Sequence, residues 1–545
     1  MTYALDRRRA LCASLLAGAI AWAGCPAGDG TDGPSPVVGI QSTPDCRVIA
    51  GGFPSGFAGL PGAGDEAAVV QFQPFAVIGL DLDPEPPSPL AANPVPALPE
   101  LPSPRCGGLR PDSDSDGRPD PDRSDELSFL CQSPAAGTLH ALSRDLVAVT
   151  TSAYEQVLLV DPQNGELRMA ALDPPAAGPG FDPADWPFWP GAGVFPFRSG
   201  ISTRACVYGT GLVDSNGDAI GANTRCDPGR DGFFTSFTAD GVSVGARFFV
   251  ATSNLIRASQ ARFAPGTVLV FDFDLGTMPP RVGPDSARAV QLTTGYNPTS
   301  LTSYTTPGGR ELVLVGVSGA IALGTGPGLV RSDSAIDVID ATSLDLIATI
   351  PLGPAGLGFD GLAIDATARL GLIGAATSRA LFGIDLAALD DPTLGTGPQA
   401  LPIVLDGMTP GFADARVYDT ARPFVLPKRP DGPLDSVCTS QTSVAVRDDN
   451  GFAAATDFCD GTLTRIVLDL PASRATPLDP DTILAVDRLV EIVAPLVPSA
   501  TAEVRAPGDV RIRRGTPGLD YPGPDVHFTA GLPEGAVCGV RIDAI

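Results

Sequence analysis

The stretch "SAIDVIDATSLDLIATIPLG", Ser334 to Gly353, decides how the rest of the chain is read. An apolar run ends in Asp340, the turn "ATSLD" follows, and a second apolar run closes on Gly353. β-branched residues fill both runs, as in strands that pack on a pleated surface. Just beyond it, "GLAIDATARLGLIGAA" (Gly361 to Ala376) repeats strand, turn and strand. Five segments share a common plan of apolar strand, turn or long loop, then a second strand running into Asp. They are "LVAVTTSAYEQVLLVD" (Leu146 to Asp161), "FFVATS…TVLVFD" (Phe248 to Asp272) and "LVLVGVS…AIDVID" (Leu312 to Asp340). The other two are "LGLIGAATSRALFGID" (Leu370 to Asp385) and "FAAATDFCDGTLTRIVLD" (Phe452 to Asp469).

Several units are preceded by a strand of small and apolar residues, such as "GTLHAL", "PTSLTSY", "GLAIDAT" and "TSVAV". Several are followed by a turn and a further strand. Four short strands per unit, recurring, is the signature of a propeller blade. The segment Asn297 to Leu386, above all "SAIDVIDATSLDLIATIPLG…GLAIDATARLGLIGAA", resembles the YVTN-type β-propeller repeats of bacterial exported proteins, although the YVTN tetrapeptide itself is absent. The resemblance spans roughly residues 135–470 and implies blade architecture; it assigns no active residue.

The expected fold is therefore all-β, a propeller of six four-stranded blades, with a seventh allowed, carrying long loop insertions. "AAVVQFQPFAVIGLDLD" (Ala67 to Asp83) reads as strand material before the first repeat, and "DVRIRRG…DVHFTAG…AVCGVRID" supplies strands at the tail. Propellers commonly close by pairing the two chain ends in one blade, and Cys46 with Cys538 would staple such a closure. "DTILAVDRLVEIV" (Asp481 to Val493) fits a short helix capped by Asp481 or a strand. The Pro-rich stretch 84–104 is a semi-rigid extended spacer or loop.

With 545 residues and 43% hydrophobic composition, the chain has ample material for a core. Its 36 Lys and Arg stand against 62 Asp and Glu, a formal net charge of -26. Binding a phosphate backbone relies on cationic side chains, so nucleic acid is not an expected partner. The abundance of Gly (63) and Pro (56) suits short strands joined by turns.

The first residues are an address. Arg7, Arg8 and Arg9 precede the apolar run "ALCASLLAGAIAWAG", too short to span a bilayer comfortably and laid out like a secretory signal. "AWAGC" resembles the bacterial lipobox, with Trp22 where that family usually has Leu. The resemblance implies lipidation of Cys25; ordinary cleavage after Ala23 would instead leave a soluble periplasmic or secreted protein. Lipidation leaves an even set of cysteines, Cys46, Cys106, Cys131, Cys206, Cys226, Cys438, Cys459 and Cys538, which suits a disulfide framework in an oxidising compartment. The expected pairs are Cys106–Cys131, Cys206–Cys226, Cys438–Cys459 and Cys46–Cys538. The expected organisation is a signal at 1–24, a flexible tether at 25–45 and one propeller domain at 46–545.

The strongest candidate for a ligand is "RPDSDSDGRPDPDRSDE", Arg110 to Glu126. Calcium takes six to eight oxygens, and Asp at every second position followed by Gly lets a loop wrap one ion. Asp112, Asp114, Asp116 and Asp120, with the Arg118 carbonyl, fall at the ligand positions of a loop that resembles EF-hand and thrombospondin type 3 calcium loops. Arg123 stands where the closing acidic ligand is expected, leaving Asp122, Asp125 or water to complete the shell. The competing reading is a solvated acidic turn. A second alternation, Asp214, Asn216 and Asp218, between Cys206 and Cys226, has Ala219 where the turn glycine belongs; it reads as an Asx turn, with a second calcium loop as the weaker alternative.

Three tempting features point elsewhere. "GVSVG" (Gly241 to Gly245) fits G-x-S-x-G, but a nucleophile elbow leads into a helix and here the strand "RFFVATS" follows. "GLGFDG" (Gly356 to Gly361) fits G-x-G-x-x-G, yet it sits between strands and is expected to be a blade-to-blade loop. The only histidines are His140 and His527, and His140, on "GTLHAL", is expected to be structural. The aromatic loop "DWPFWPGAGVFPF" (Asp185 to Phe197) is either a recognition surface or a plug.

The chain is thus expected to be a cell-envelope lipoprotein propeller, calcium-stabilised, acting as a binding or scaffolding module for an envelope protein or extracellular ligand; whether it catalyses a reaction is left open, with binding favoured. The alternative is a hydrolase or lactonase-like propeller with an acidic, metal-assisted site at the channel mouth.

Overall fold

A computed structural model describes strands and short turns between residues 40 and 540. Residues 1–39, 91–135, 173–200, 222–234, 321–331, 405–423, 426–440, 469–483, 493–506, 513–525 and 541–545, with shorter stretches among the strands, lie outside the described residues.

Blade 4 shows how the sequence builds the unit. Its strands Pro298–Thr305, Glu311–Val317, Ser334–Asp340 and Leu346–Gly353 form an antiparallel meander in that order. In "LVLVGV" both faces are covered. Leu312 and Leu314 pack into a cluster shared with blade 5, while Val313, Val315 and Val317 pack into one shared with blade 3. A strand buried on both faces reads as a continuous apolar run, since neither face needs polar residues. Blade 3 repeats the division: Phe248, Val250, Leu269 and Phe271 face blade 2, and Phe249, Ala251, Val268 and Val270 face blade 4.

Among the described residues there are seven sheets of four or more strands, with inner strands Pro54–Gly59, Ala136–Ser143, Thr235–Val244, Pro298–Thr305, Leu357–Asp365, Gln441–Arg447 and Pro507–Ile512. Each inner strand touches the next, and the last touches the first, so the sheets form a closed ring. The fold is a β-propeller, and seven is the larger of the two blade counts expected. The seventh is completed by the chain's beginning. Asp45–Val48 pairs antiparallel with Ala536–Val540, with Cys46 directly across from Cys538. Cys538 is buried and disulfide-bonded. Ile40–Ser42 adds in parallel to Leu484–Ile492 of blade 6, so the first described residues bridge blades 6 and 7. Leu484–Ile492 is a strand, which settles the helix-or-strand ambiguity at 481–493.

One further expectation needs correcting. "GLGFDG" does not form a loop: Leu357–Asp365 is one inner strand, with an irregularity between Leu357 and Leu362 that absorbs the glycines.

The meander gives the ring two unlike edges. One carries the turns from first to second and from third to fourth strand; the other carries the remaining turns and the links between blades. In chain order, Arg110 to Glu126 falls between the last described strand of blade 1 and the first of blade 2, outside the described residues. The insertion between Leu167–Arg168 and Ile201–Ser202 interrupts the outer strand of blade 2, since both pieces pair with Gln156–Val160.

Candidate functional site

Around the axis, the inner strands carry buried polar side chains, and some of these are bonded from blade to blade. Asp240, on the inner strand of blade 3, is nearly buried. Its Oδ1 accepts from Thr138 Oγ1 of blade 2 (2.7 Å) and from the Gly241 amide (2.8 Å); its Oδ2 accepts from the Leu301 amide of blade 4 (2.6 Å). One carboxylate thus links three successive blades. At the next junction, Asn297 joins the outer strand of blade 3 to the inner strand of blade 4 in the left-handed region (φ 55°), which asparagine tolerates. Its Oδ1 accepts from Ser253 Oγ (2.7 Å) and its carbonyl from the Ser318 amide (3.0 Å).

His140 faces blade 3. Its Nε2 accepts from the Ser243 amide at 3.1 Å, and its ring lies 5.5 Å from that of Phe248. This arrangement disposes of "GVSVG" as a nucleophile. The Nε2 lone pair is engaged by the amide, the Ser243 hydroxyl is buried, and the strand runs through a tight turn into Arg247–Arg257 with no helix. His527 sits on the strand Val526–Ala530 of blade 7.

The alternation Asp214, Asn216, Asp218 forms the tip of a small hairpin, Leu212–Val213 with Ala219–Ile220. Asp214 Oδ1 accepts from the Asn216 (2.8 Å) and Asp218 (3.0 Å) amides, the Asx turn expected from the residues. The cation that both carboxylates meet is Arg262: Nε bonds Asp214 Oδ2, and Nη2 lies 3.2 Å from Asp218 Oδ2. Tyr296 Oη donates to the Val213 and Asp214 carbonyls, 3.0 Å each. Burial, aided by the Asp214 charge, pushes the phenol above its ordinary range.

The Asp at the end of the third strand has a physical role in blades 1, 2 and 4. Asp81, Asp161 and Asp340 each accept with Oδ1 from an amide two residues on, turning the chain from third to fourth strand. Asp340 also takes the Ser343 amide (2.9 Å) and, through Oδ2, Arg310 Nε (2.6 Å). Burial alone would raise its pKa, but the two amides and the guanidinium outweigh it and hold the carboxyl below its usual range.

Arg310 belongs to a set the sequence reading missed. Arg144, Arg247, Arg310 and Arg369 stand at the start of the second strand of blades 2 to 5, Arg247 as its first residue and the others one or two residues before it, in "RDL", "RF", "REL" and "RL". Arg247 reaches Asp272 within its blade (3.3 Å) and the Ala341 (2.5 Å) and Thr342 (3.1 Å) carbonyls of blade 4. Arg310 reaches the Leu394 carbonyl (2.8 Å) beyond the third strand of blade 5. Arg369 bonds Asp390 (2.7 Å), which also accepts from Tyr304 Oη of blade 4 (2.8 Å). Arg144 reaches back to Glu66 of blade 1 (2.6 Å). The signal was an Arg recurring in step with the closing Asp.

Among the described residues, no group of three or more His, Cys, Asp or Glu is placed to hold a metal ion. Asp112, Asp114, Asp116, Arg118, Asp120 and Asp122 lie outside the described residues, as do Cys25, Cys106, Cys131, Cys206, Cys226, Cys438, Cys459 and the aromatic loop at Asp185 to Phe197.

No protein-family model matches the chain, and no curated protein matches it. Solved structures do. The β-propeller domain of Cps50 (Swd1) from Myceliophteria thermophila matches at 12% identity over 90% of this chain and 98% of that one, TM-score 0.37. A streptogramin B lyase matches at 8% identity over 91% and 95%, TM-score 0.41. Virginiamycin B lyase from Staphylococcus aureus matches at 7% identity over 91% and 99%, TM-score 0.40. At such values none of these likenesses says what the chain does.

Proposed function

We propose that the chain is an exported, lipid-anchored propeller that binds or scaffolds an envelope protein or extracellular ligand through its inserted loops. The supporting observation is how the ring spends its charged groups. Asp240, Asp214, Asp340, Asp390, Glu66 and the four turn arginines hold strand to strand or blade to blade. Recognition then falls to the insertions, of which the stretch Arg110 to Glu126, between blades 1 and 2 in chain order, carries the strongest ligand pattern. In this reading Cys25 carries the lipid and the eight remaining cysteines pair as Cys46–Cys538, Cys106–Cys131, Cys206–Cys226 and Cys438–Cys459. Asp112, Asp114, Asp116 and Asp120, with the Arg118 carbonyl and Asp122, hold calcium and order their loop.

The test is capture of partners from the native envelope by the full chain, beside a chain with Asp114→Ala and Asp116→Ala. A specific partner whose recovery depends on calcium in the wild type alone is expected. Calorimetry showing no calcium binding at millimolar concentration would make 110–126 an acidic linker. Cys25→Ala is expected to abolish fatty-acid labelling and release the protein from membranes; a variant still membrane-bound would end the lipoprotein reading.

A further inference from the structure

Asp337 lies on the third strand of blade 4, across from Val315 on one side and Thr349 on the other. Its neighbours Ile336 and Val338 pack toward blade 5, so Asp337 turns toward blade 3, as Ile339 does. There it meets Gly295 on the outer strand of blade 3. A Cβ at that glycine would lie 2.5 Å from Asp337 Oδ2 and 3.0 Å from Val317, so only a residue without one leaves room for the carboxyl. The side chain is fully buried. Oδ1 accepts from Thr349 Oγ1 at 2.6 Å, whereas Oδ2 is buried with no hydrogen-bond partner. The groups facing it are the Thr349 hydroxyl on the fourth strand, Val317 on the second and Gly295 on blade 3, none of them charged. An ionised carboxylate normally gathers several donors when buried; this one has a single hydroxyl.

We propose that Asp337 is a proton-operated latch on the seam between blades 3 and 4, closed and dry when the carboxyl is neutral and loosened by entering water when it ionises. The titration supports the geometry: burial is the main cause and Thr349 opposes it, and the carboxyl is pushed up from 3.8 to about 6. Below about pH 4 the folded and unfolded chains both hold this proton. Between about 4 and 6 the folded chain keeps a proton that the unfolded chain has lost, so its stability falls as pH rises, and above about 6 the loss is complete.

The experiment compares the full chain with Asp337→Asn, which keeps an acceptor for Thr349 and cannot ionise. Unfolding in urea is followed from pH 4 to pH 7.5, with amide exchange in residues Arg288–Tyr296 and Ser334–Asp340 corrected for its intrinsic pH dependence. Relative to the variant, the wild type should lose on the order of a hundredfold in its folding equilibrium across that range, and its two seam strands should open faster at the upper end. A wild-type-to-variant ratio that is the same at pH 4 and pH 7.5 overturns the proposal. Infrared titration of the wild type needs no variant. A carboxylic acid band persisting to pH 5.5 is expected, and a wild type with no protonated carboxyl at that pH overturns the proposal as well.

Discussion

Asp240 and Asp337 are both buried aspartates on seams between blades, and they are equipped in opposite ways. Asp240 receives donors on both oxygens from blades 2, 3 and 4. Asp337 has one hydroxyl on one oxygen and a bare glycine against the other. A buried charge strengthens a seam when the neighbouring blades bring donors to it, and otherwise becomes a site that responds to protons. The same contrast holds at the hairpin, where Asp214 is buried but Arg262 comes with it.

The contrast breaks most directly at Asp240. Asp240→Ala strands the Leu301 amide and opens the link between blades 2 and 4, and should cost ~3 kcal/mol or more in urea unfolding. A midpoint unchanged from the wild type would show that the seam does not depend on its carboxylate. Arg262→Ala leaves Asp214 buried without its cation and should cost about 2 kcal/mol, felt locally as faster protease cleavage within residues 211–221. Unaltered cleavage would count against Arg262 as the internal cation.

Gly295→Ala sharpens the comparison from the other side, because the added methyl meets Asp337 Oδ2 rather than open space. It should cost about 1–2 kcal/mol, while Gly59→Ala, with nothing within 4 Å of a Cβ, should stay within about 0.5 kcal/mol of the wild type. Equal effects of the two would mean the seam has slack. The smallest effect is expected at Arg144, whose side chain is 53% exposed in its pair with Glu66. Hydrogen bonding from Arg144 holds the Glu66 carboxyl below its usual range. Its ion pair is nevertheless open to solvent and salt, so Arg144→Ala should leave the unfolding midpoint unmoved at physiological ionic strength. A clear loss there would show that the exposed turn arginines brace the ring as firmly as the buried aspartates.

Much of the blade architecture was legible because it is local. "LVLVGV" and "SAIDVID" are strands on composition alone, and Asp81, Asp161 and Asp340 each bond an amide only two residues away. Asp214 was readable as an Asx turn for the same reason. "GLGFDG" was misplaced because a glycine run signals a loop as well as it signals an irregular inner strand, and only the pairing of Leu357 and Leu362 with the adjacent strand decides between them. Arg310 passed unnoticed since its partners, Asp340 and the Leu394 carbonyl, are 30 and 84 positions along the chain.

By itself, then, the sequence determined strands, turns and their repetition, since β-branching, apolar runs and Asx chemistry act over a few residues. It also determined charge and therefore which partners are disfavoured. Tertiary structure alone decided that the ring has seven blades, because the seventh needs Asp45–Val48 beside Ala536–Val540, at opposite ends of the chain. It alone decided which aspartates are braced and which is left to titrate. Asp240 and Asp337 are the same residue, one on an inner strand and one on a third strand, and what separates them is whether the neighbouring blade presents an amide or a glycine.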